Sequence, residues 1–230
     1  MCSSGRSFKS SNIQSLINSE KDLFSINGYD SNRGFTLSIA KEKSKPISIK
    51  VNNTKTTTSR LIKEFPSTAI HNNTFSFANA SPDFRRKIID RSLFVSDESF
   101  SETWFGFYRC LKQRNSLLKN RDIKNIETWN KKVSQEAMSL DKKRANFFNQ
   151  SFLEFKNILL TLDSCSTTEY LDKIRIEFFS GWDTNKSLYD VLLENEQKDL
   201  ARKTTTEGPH KADVKIFIGE NDAKQILSRG

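Results

Sequence analysis

Two runs of basic side chains are placed to do chemistry on phosphate. Arg85, Arg86 and Lys87 stand consecutively in SPDFRRKIID (81–90), and Lys112, Arg114 and Lys119 recur in LKQRNSLLK (111–119). Ammonium and guanidinium groups neutralise phosphate charge and hold a polyanion without reading its bases. Three consecutive residues fan over about 200° of a helix, so Arg85, Arg86 and Lys87 cannot all face a core. Between Phe84 and Lys132 twelve Lys and Arg stand against six Asp and Glu, which supplies +6 of the chain's formal net charge of +9. The two groups are expected to form one continuous positive surface that binds nucleic acid. Two plainer readings compete: a solvated helix face, and arginines that tie a helix to nearby carboxylates.

Other chemistries find little support. Cys2, Cys110 and Cys165 are scattered and form no CxxC pair, and His71 and His210 are the only histidines, so no zinc site can be assembled. The scattered thiols fit a reducing, cytoplasmic compartment. Neither histidine has a nucleophile beside it, and the acids show no pairing suited to general acid–base work. No glycine is followed by lysine, so the phosphate-cradling loop G-x-x-x-x-G-K-[ST] is absent from these 230 residues. KIFIGEND (215–222) looks like a strand ending in acids, but Gly219 and Asn221 read better as a hairpin turn. MCSSGRSFKSS has no apolar run, and FFNQSFLEFKNILLTL is broken by Asn, Gln, Glu and Lys; neither a leader nor a membrane span is expected.

The elements that must position these residues follow from periodicity. Phe35, Leu37 and Ile39 alternate, as do Ile47, Ile49 and Val51, which predicts a hairpin across KEKSKP with one face on a core. A short helix is expected at SRLIKEF and a brief strand at STAI. Ser81 as N-cap, Pro82 at the first helical position and Asp83 beside it start a helix. SFSE (99–102) reads as a capping box for the next one, whose seam is Phe100, Trp104, Phe107, Tyr108, Leu111 and Leu118. Ile126, Trp129, Val133, Ala137, Leu140, Phe148, Phe152, Phe155, Leu159 and Leu162 step by threes and fours, except where Arg144 takes the seam position. A helix from about 126 to 162 would be roughly 55 Å long, a projecting antiparallel arm when paired with its shorter neighbour. IRIEFF reads as a strand, SLYDVLLENEQKDLAR as one helix and VKIFI as a strand.

Taken in order, SSGRSFKSS (3–11), SPDFRRKIID (81–90), LKQRNSLLK (111–119), GPHKADVKI (208–216) and LSRG (227–230) resemble the RecF family of DNA replication and repair ATPases. The resemblance covers essentially the whole chain. It implies an α/β fold: part of an ABC-type P-loop head, related to the SMC and Rad50 heads, with an inserted antiparallel helical arm. The implied division is head at 1–95, arm at 96–205 and return to the head at 206–230. It also implies DNA binding at single-stranded or gapped sites, recombinational repair and SOS induction. In the complete protein it implies ATP with Mg²⁺, an ATP-dependent homodimer, and RecR and RecO as partners.

The resemblance makes LSRG the ABC signature, cut one residue before its expected glutamine. Ser228 and Gly230 would then contact ATP held by the other subunit. Ser228 can cap a helix start, and Gly230 lets backbone N–H groups approach an anion. By the family pattern, Walker A should precede SSGRSF, and Walker B should follow the signature. The expectation is therefore an internal piece of a longer product, inactive toward ATP alone. His71-Asn72-Asn73 stands where the family shows a proline with an acidic neighbour. A reading from another class remains beside this one: a non-enzymatic basic coiled-coil module that binds nucleic acid or a partner helix.

Overall fold

The computed structural model describes residues 12–65, 77–162 and 173–226. The chain divides into two compact units, Met1–Thr74 and Phe75–Gly230. This boundary differs from the expected divisions at 95/96 and 205/206. The helix begun by Ser81 packs against the strand at 213–218, so the elements on either side of residue 95 share one core.

In the first unit, β1 (Leu23–Asp30), β2 (Phe35–Glu42), β3 (Ser48–Val51) and β4 (Thr54–Lys55) form an antiparallel meander in that order. Leu37 lies opposite Val51, and Ile39 opposite Ile49. The alternation in the sequence thus becomes a single apolar face, closed by Leu61 of α1 (Thr58–Glu64). Asn52 and Asn53 turn β3 into β4 at φ 47° and 61°, a left-handed pair that asparagine tolerates. The strand expected at STAI lies outside the described residues.

The second unit is built on α2 (Pro82–Ser96), α3 (Phe100–Asn120) and α4 (Ile126–Leu162). Helix α4 has the bounds that the apolar period demands. The Ser81 hydroxyl accepts the N–H of Phe84, with Pro82 in the first turn, as the sequence requires. The capping box at 99–102 does not form: Ser99 is already in helical conformation and makes no side-chain cap. Asp97 takes over, accepting both the N–H and the hydroxyl of Ser99. A carboxylate is the stronger acceptor, and Lys143 neutralises this one. The Lys143 hydrogen bond outweighs burial and holds the Asp97 carboxyl below its usual range.

β5 (Ile174–Phe179), β6 (Asp213–Ile218) and β7 (Asn221–Asp222) form a second antiparallel sheet. Gly219, at φ 61°, turns β6 into β7, so KIFIGEND is a hairpin. Where one helix was expected after Ser187 there are two, α5 (Leu188–Glu194) and α6 (Glu196–Arg202). Asn195 breaks them: its side-chain amide donates to the Val191 carbonyl while its own carbonyl receives Asp199 N–H. The short helix α7 (Ala223–Ile226) follows β7. Side chains from α2, α3, α4, α5 and both longer strands meet in one core around Phe100, Phe107, Leu140, Leu188 and Val214.

Candidate nucleic-acid interface

The basic residues picked out by sequence divide sharply by burial. Arg114 is fully buried. It sits on the α3 seam between Leu111 and Leu118. Its Nε donates to Asn130 Oδ1 at 2.6 Å, and Nη1 donates to Asp199 Oδ2 and Thr205 Oγ1, each at 2.7 Å. Asp199 is itself fully buried and also accepts from the N–H and hydroxyl of Thr206. Arg114 therefore fastens α3 to α6 and to the segment behind it. The expectation that it faces DNA is corrected: no phosphate reaches a guanidinium enclosed this way.

Arg85 is corrected in the same sense. It is 2% exposed. Its Nε and Nη2 grip both oxygens of Asp213 at 2.7 and 2.8 Å, and Nη1 donates to the carbonyls of Phe77, Ala78 and Ala80. This planar, two-pronged geometry suits guanidinium and not ammonium. Arg86, with its side chain 15% exposed, donates to the Ala212 carbonyl at 2.6 Å. Of the consecutive trio, only Lys87 projects into solvent, beside Asp83 on its own helix.

A residue that was no site candidate completes the anchor. Arg144 binds both oxygens of Asp90 at 2.7 and 2.8 Å and donates to the Pro209 carbonyl at 2.6 Å. Burial works against its charge, but the Asp90 carboxylate outweighs burial and raises its pKa. Trp104 Nε1 caps the same carboxylate. The position of Arg144 on an otherwise apolar seam was the signal available in the sequence.

The segment GPHKAD (208–213) is thus held from several sides: Pro209 by Arg144, Ala212 by Arg86 and Asp213 by Arg85. Gly208 N–H donates to the Gly181 carbonyl. Gly181 is at φ +90°, and a Cβ there would lie 2.4 Å from the Gly208 oxygen. His210 lies tilted against Phe107 with ring centroids 6.3 Å apart, and its Nε2 lies 2.9 Å from the Thr205 carbonyl. Burial pushes its pKa down to about 4.

This geometry does not fit a nucleotide site. Gly181 lacks a side chain because two backbones touch there, and Gly208 because its φ of 130° disfavours one, so neither glycine is needed to admit a phosphate. Among the described residues no group of three His, Cys, Asp or Glu could hold a metal. Ser228 and Gly230 lie outside the described residues. No helix among the described residues is long and apolar enough to cross a membrane.

Lys112 and Lys119 remain as surface cations, both exposed on α3. Seven residues apart, they fall within about 20° of each other around the helix. Arg109, also exposed, extends the same stripe, and sequence reasoning passed over it because it looked for motifs and not for a face.

No family model matches the chain. A DNA replication and repair protein RecF from Shewanella frigidimarina is 33% identical over 231 residues, covering 98% of this chain and 62% of that protein. The protein of the same name from Francisella tularensis subsp. holarctica is 32% identical over 232 residues, covering 99% and 64%. Two solved structures of the recombination mediator protein RecF in the RecFOR pathway, one with ATP and one with ATPrS, superpose with TM-scores of 0.77 and 0.76. Each shares 22% identity and covers 99% of this chain and 64% of the other. The fold is accordingly the corresponding part of an ABC-type P-loop architecture. The chain spans a little under two thirds of the length of these relatives. With the ordered motifs, the matching fold and identity across nearly its whole length, the chain is similar to the corresponding part of these RecF proteins from end to end.

Proposed function

We propose that this chain is part of a RecF-type DNA replication and repair protein, acting on single-stranded or gapped DNA in recombinational repair and SOS induction. The observation that carries the reading is 33% identity maintained over 98% of the chain. In the complete protein, ATP and Mg²⁺ would be held by residues other than the described ones. Ser228 and Gly230 would complete the site of the second subunit in an ATP-dependent homodimer. RecR and RecO are the partners the family implies, in the cytoplasm. The head-and-arm division at 95/96 and 205/206 would be a functional one, with the arginine anchor joining its parts.

The DNA contact would be made by Lys87, Lys112 and Lys119, with Arg86 contributing only its partly open edge. Arg85 and Arg114 would act indirectly by fixing α2 and α3. Disruption of the gene in its host tests the reading. The expected result is marked sensitivity to ultraviolet light, restored by the intact gene. Survival equal to the parent strain would overturn it.

A further inference from the structure

The turn between α3 and α4, with the start of α4, adds three cations, Arg121, Lys124 and Lys132, to the Arg109, Lys112 and Lys119 stripe described above. Arg109, Lys112, Lys119, Arg121, Lys124 and Lys132 are all exposed. At 1.5 Å per residue they lie within roughly 20 Å of the turn along the two helices. Among the described residues none of the six forms an ion pair. Of the nearby acids, Glu127 pairs with Lys131 at 2.8 Å and Asp122 accepts the backbone N–H of Lys124, while Glu136, one turn along α4 from Lys132, forms no ion pair among the described residues. The turn is fixed by its own backbone. Arg121 adopts φ 54° and caps α3 through the carbonyls of Leu117 and Leu118. Asp122 N–H donates to Leu117, and Ile126 N–H to Ile123. Between the two cations of this turn Ile123 projects, 57% exposed.

From these observations we infer that the α3–α4 turn is a nucleic-acid-contacting tip. Arg121 and Lys124 straddle the phosphates of a duplex, and Ile123 presents an apolar wedge to the groove between them. Cations without ion-pair partners, outnumbering the acids at a hairpin end, match a polyanion, where each phosphate contact releases counterions. A single apolar side chain between cations suits insertion at a base step. It does not suit a membrane surface, which requires a broad apolar face. The inference rests on the DNA-binding reading and extends it to residues outside the two basic groups.

The test is duplex binding by the full 230-residue chain across a salt series, with anionic phospholipid vesicles as a second probe. Arg121→Ala with Lys124→Ala should weaken duplex binding and lower the slope of log K against log salt by up to roughly 0.9 per lost contact. Ile123→Ser should weaken binding severalfold with the slope unchanged, because its contribution is not ionic. Lys50→Ala with Lys55→Ala, exposed on the first unit's sheet, should change neither. Circular dichroism confirms that each variant is folded. If the tip variants match wild type while Lys112→Ala with Lys119→Ala loses binding, the tip inference falls and the DNA-binding reading stands. If wild type shows no salt-dependent duplex binding, both fall. Loss of vesicle binding with duplex binding intact overturns the tip as a nucleic-acid contact.

Discussion

Arg114 and Lys112 are two residues apart on one helix and do opposite work. Arg114 is sealed among Asn130, Asp199 and Thr205, whereas Lys112 stands in solvent. The same division separates Arg85 from Lys87 on α2. Guanidinium is weakly hydrated and its planar fork fits a carboxylate, so it survives burial when most of its donors are met; in Arg114 only Nη2 is left without a hydrogen-bond partner. Ammonium is strongly hydrated and stays outside. A count of basic residues along the chain therefore overstates the surface charge, because Arg85, Arg114 and Arg144 are each cancelled by a buried or nearly buried acid. At these positions on α2 and α3, arginine assembles the unit and lysine faces outward.

The largest expected effect comes from breaking the anchor. Arg144→Ala leaves Asp90 without its bidentate partner in the core, and removing one member of a buried pair costs about 3–5 kcal/mol. Urea denaturation should show this loss, and Arg144→Lys should recover only part of it, since an ammonium cannot serve both carboxylate oxygens and Pro209. A loss below about 1 kcal/mol would mean that the pair is not structural.

The next effect is a pH dependence. His210 has a folded pKa of about 4 against an ordinary 6.5, because burial disfavours its charged form. The unfolded chain binds the proton more tightly, so protonation favours unfolding. The stability is fully present above pH 6.5 and is lost as pH falls from 6.5 toward 4. A shift of this size corresponds to about 3 kcal/mol. In His210→Gln that component of the pH profile should vanish, and a profile unchanged by the substitution would place the titration elsewhere.

Much of this architecture was legible. The three-and-four spacing from Ile126 to Leu162 defined α4, because a helix with one buried side repeats its apolar residues at that interval. The alternation at 35–39 and 47–51 defined β2 and β3 with their shared face. Arg144 stood out as a charge on an apolar seam. Arg114 carried the same signal, since it fills the seam between Leu111 and Leu118, but its place in a basic string drew attention to charge and not to position. What remained hidden depended on distant partners. Arg85 meets an acid 128 residues away, and no local pattern names Asp213 as that acid. The break at Asn195 and the replacement of Ser99 by Asp97 were contests between neighbouring hydrogen bonds that only the folded geometry decides.

The smallest effect on stability should accompany the sharpest effect on binding. Lys112 and Lys119 are exposed, and replacing them with alanine should change folding free energy by less than about 0.5 kcal/mol each. If they contact phosphates, the same replacements should reduce the slope of log K against log salt by up to roughly 0.9 apiece, about equally for unrelated duplex sequences. Arg114→Ala should do the reverse: a large loss of stability, with any loss of binding recovered under conditions that restore the fold. The pair of measurements separates outward lysine from inward arginine on a single helix. An Arg114 variant that stays as stable as wild type but binds weakly would break the distinction, because a sealed guanidinium cannot touch DNA without opening the core around it.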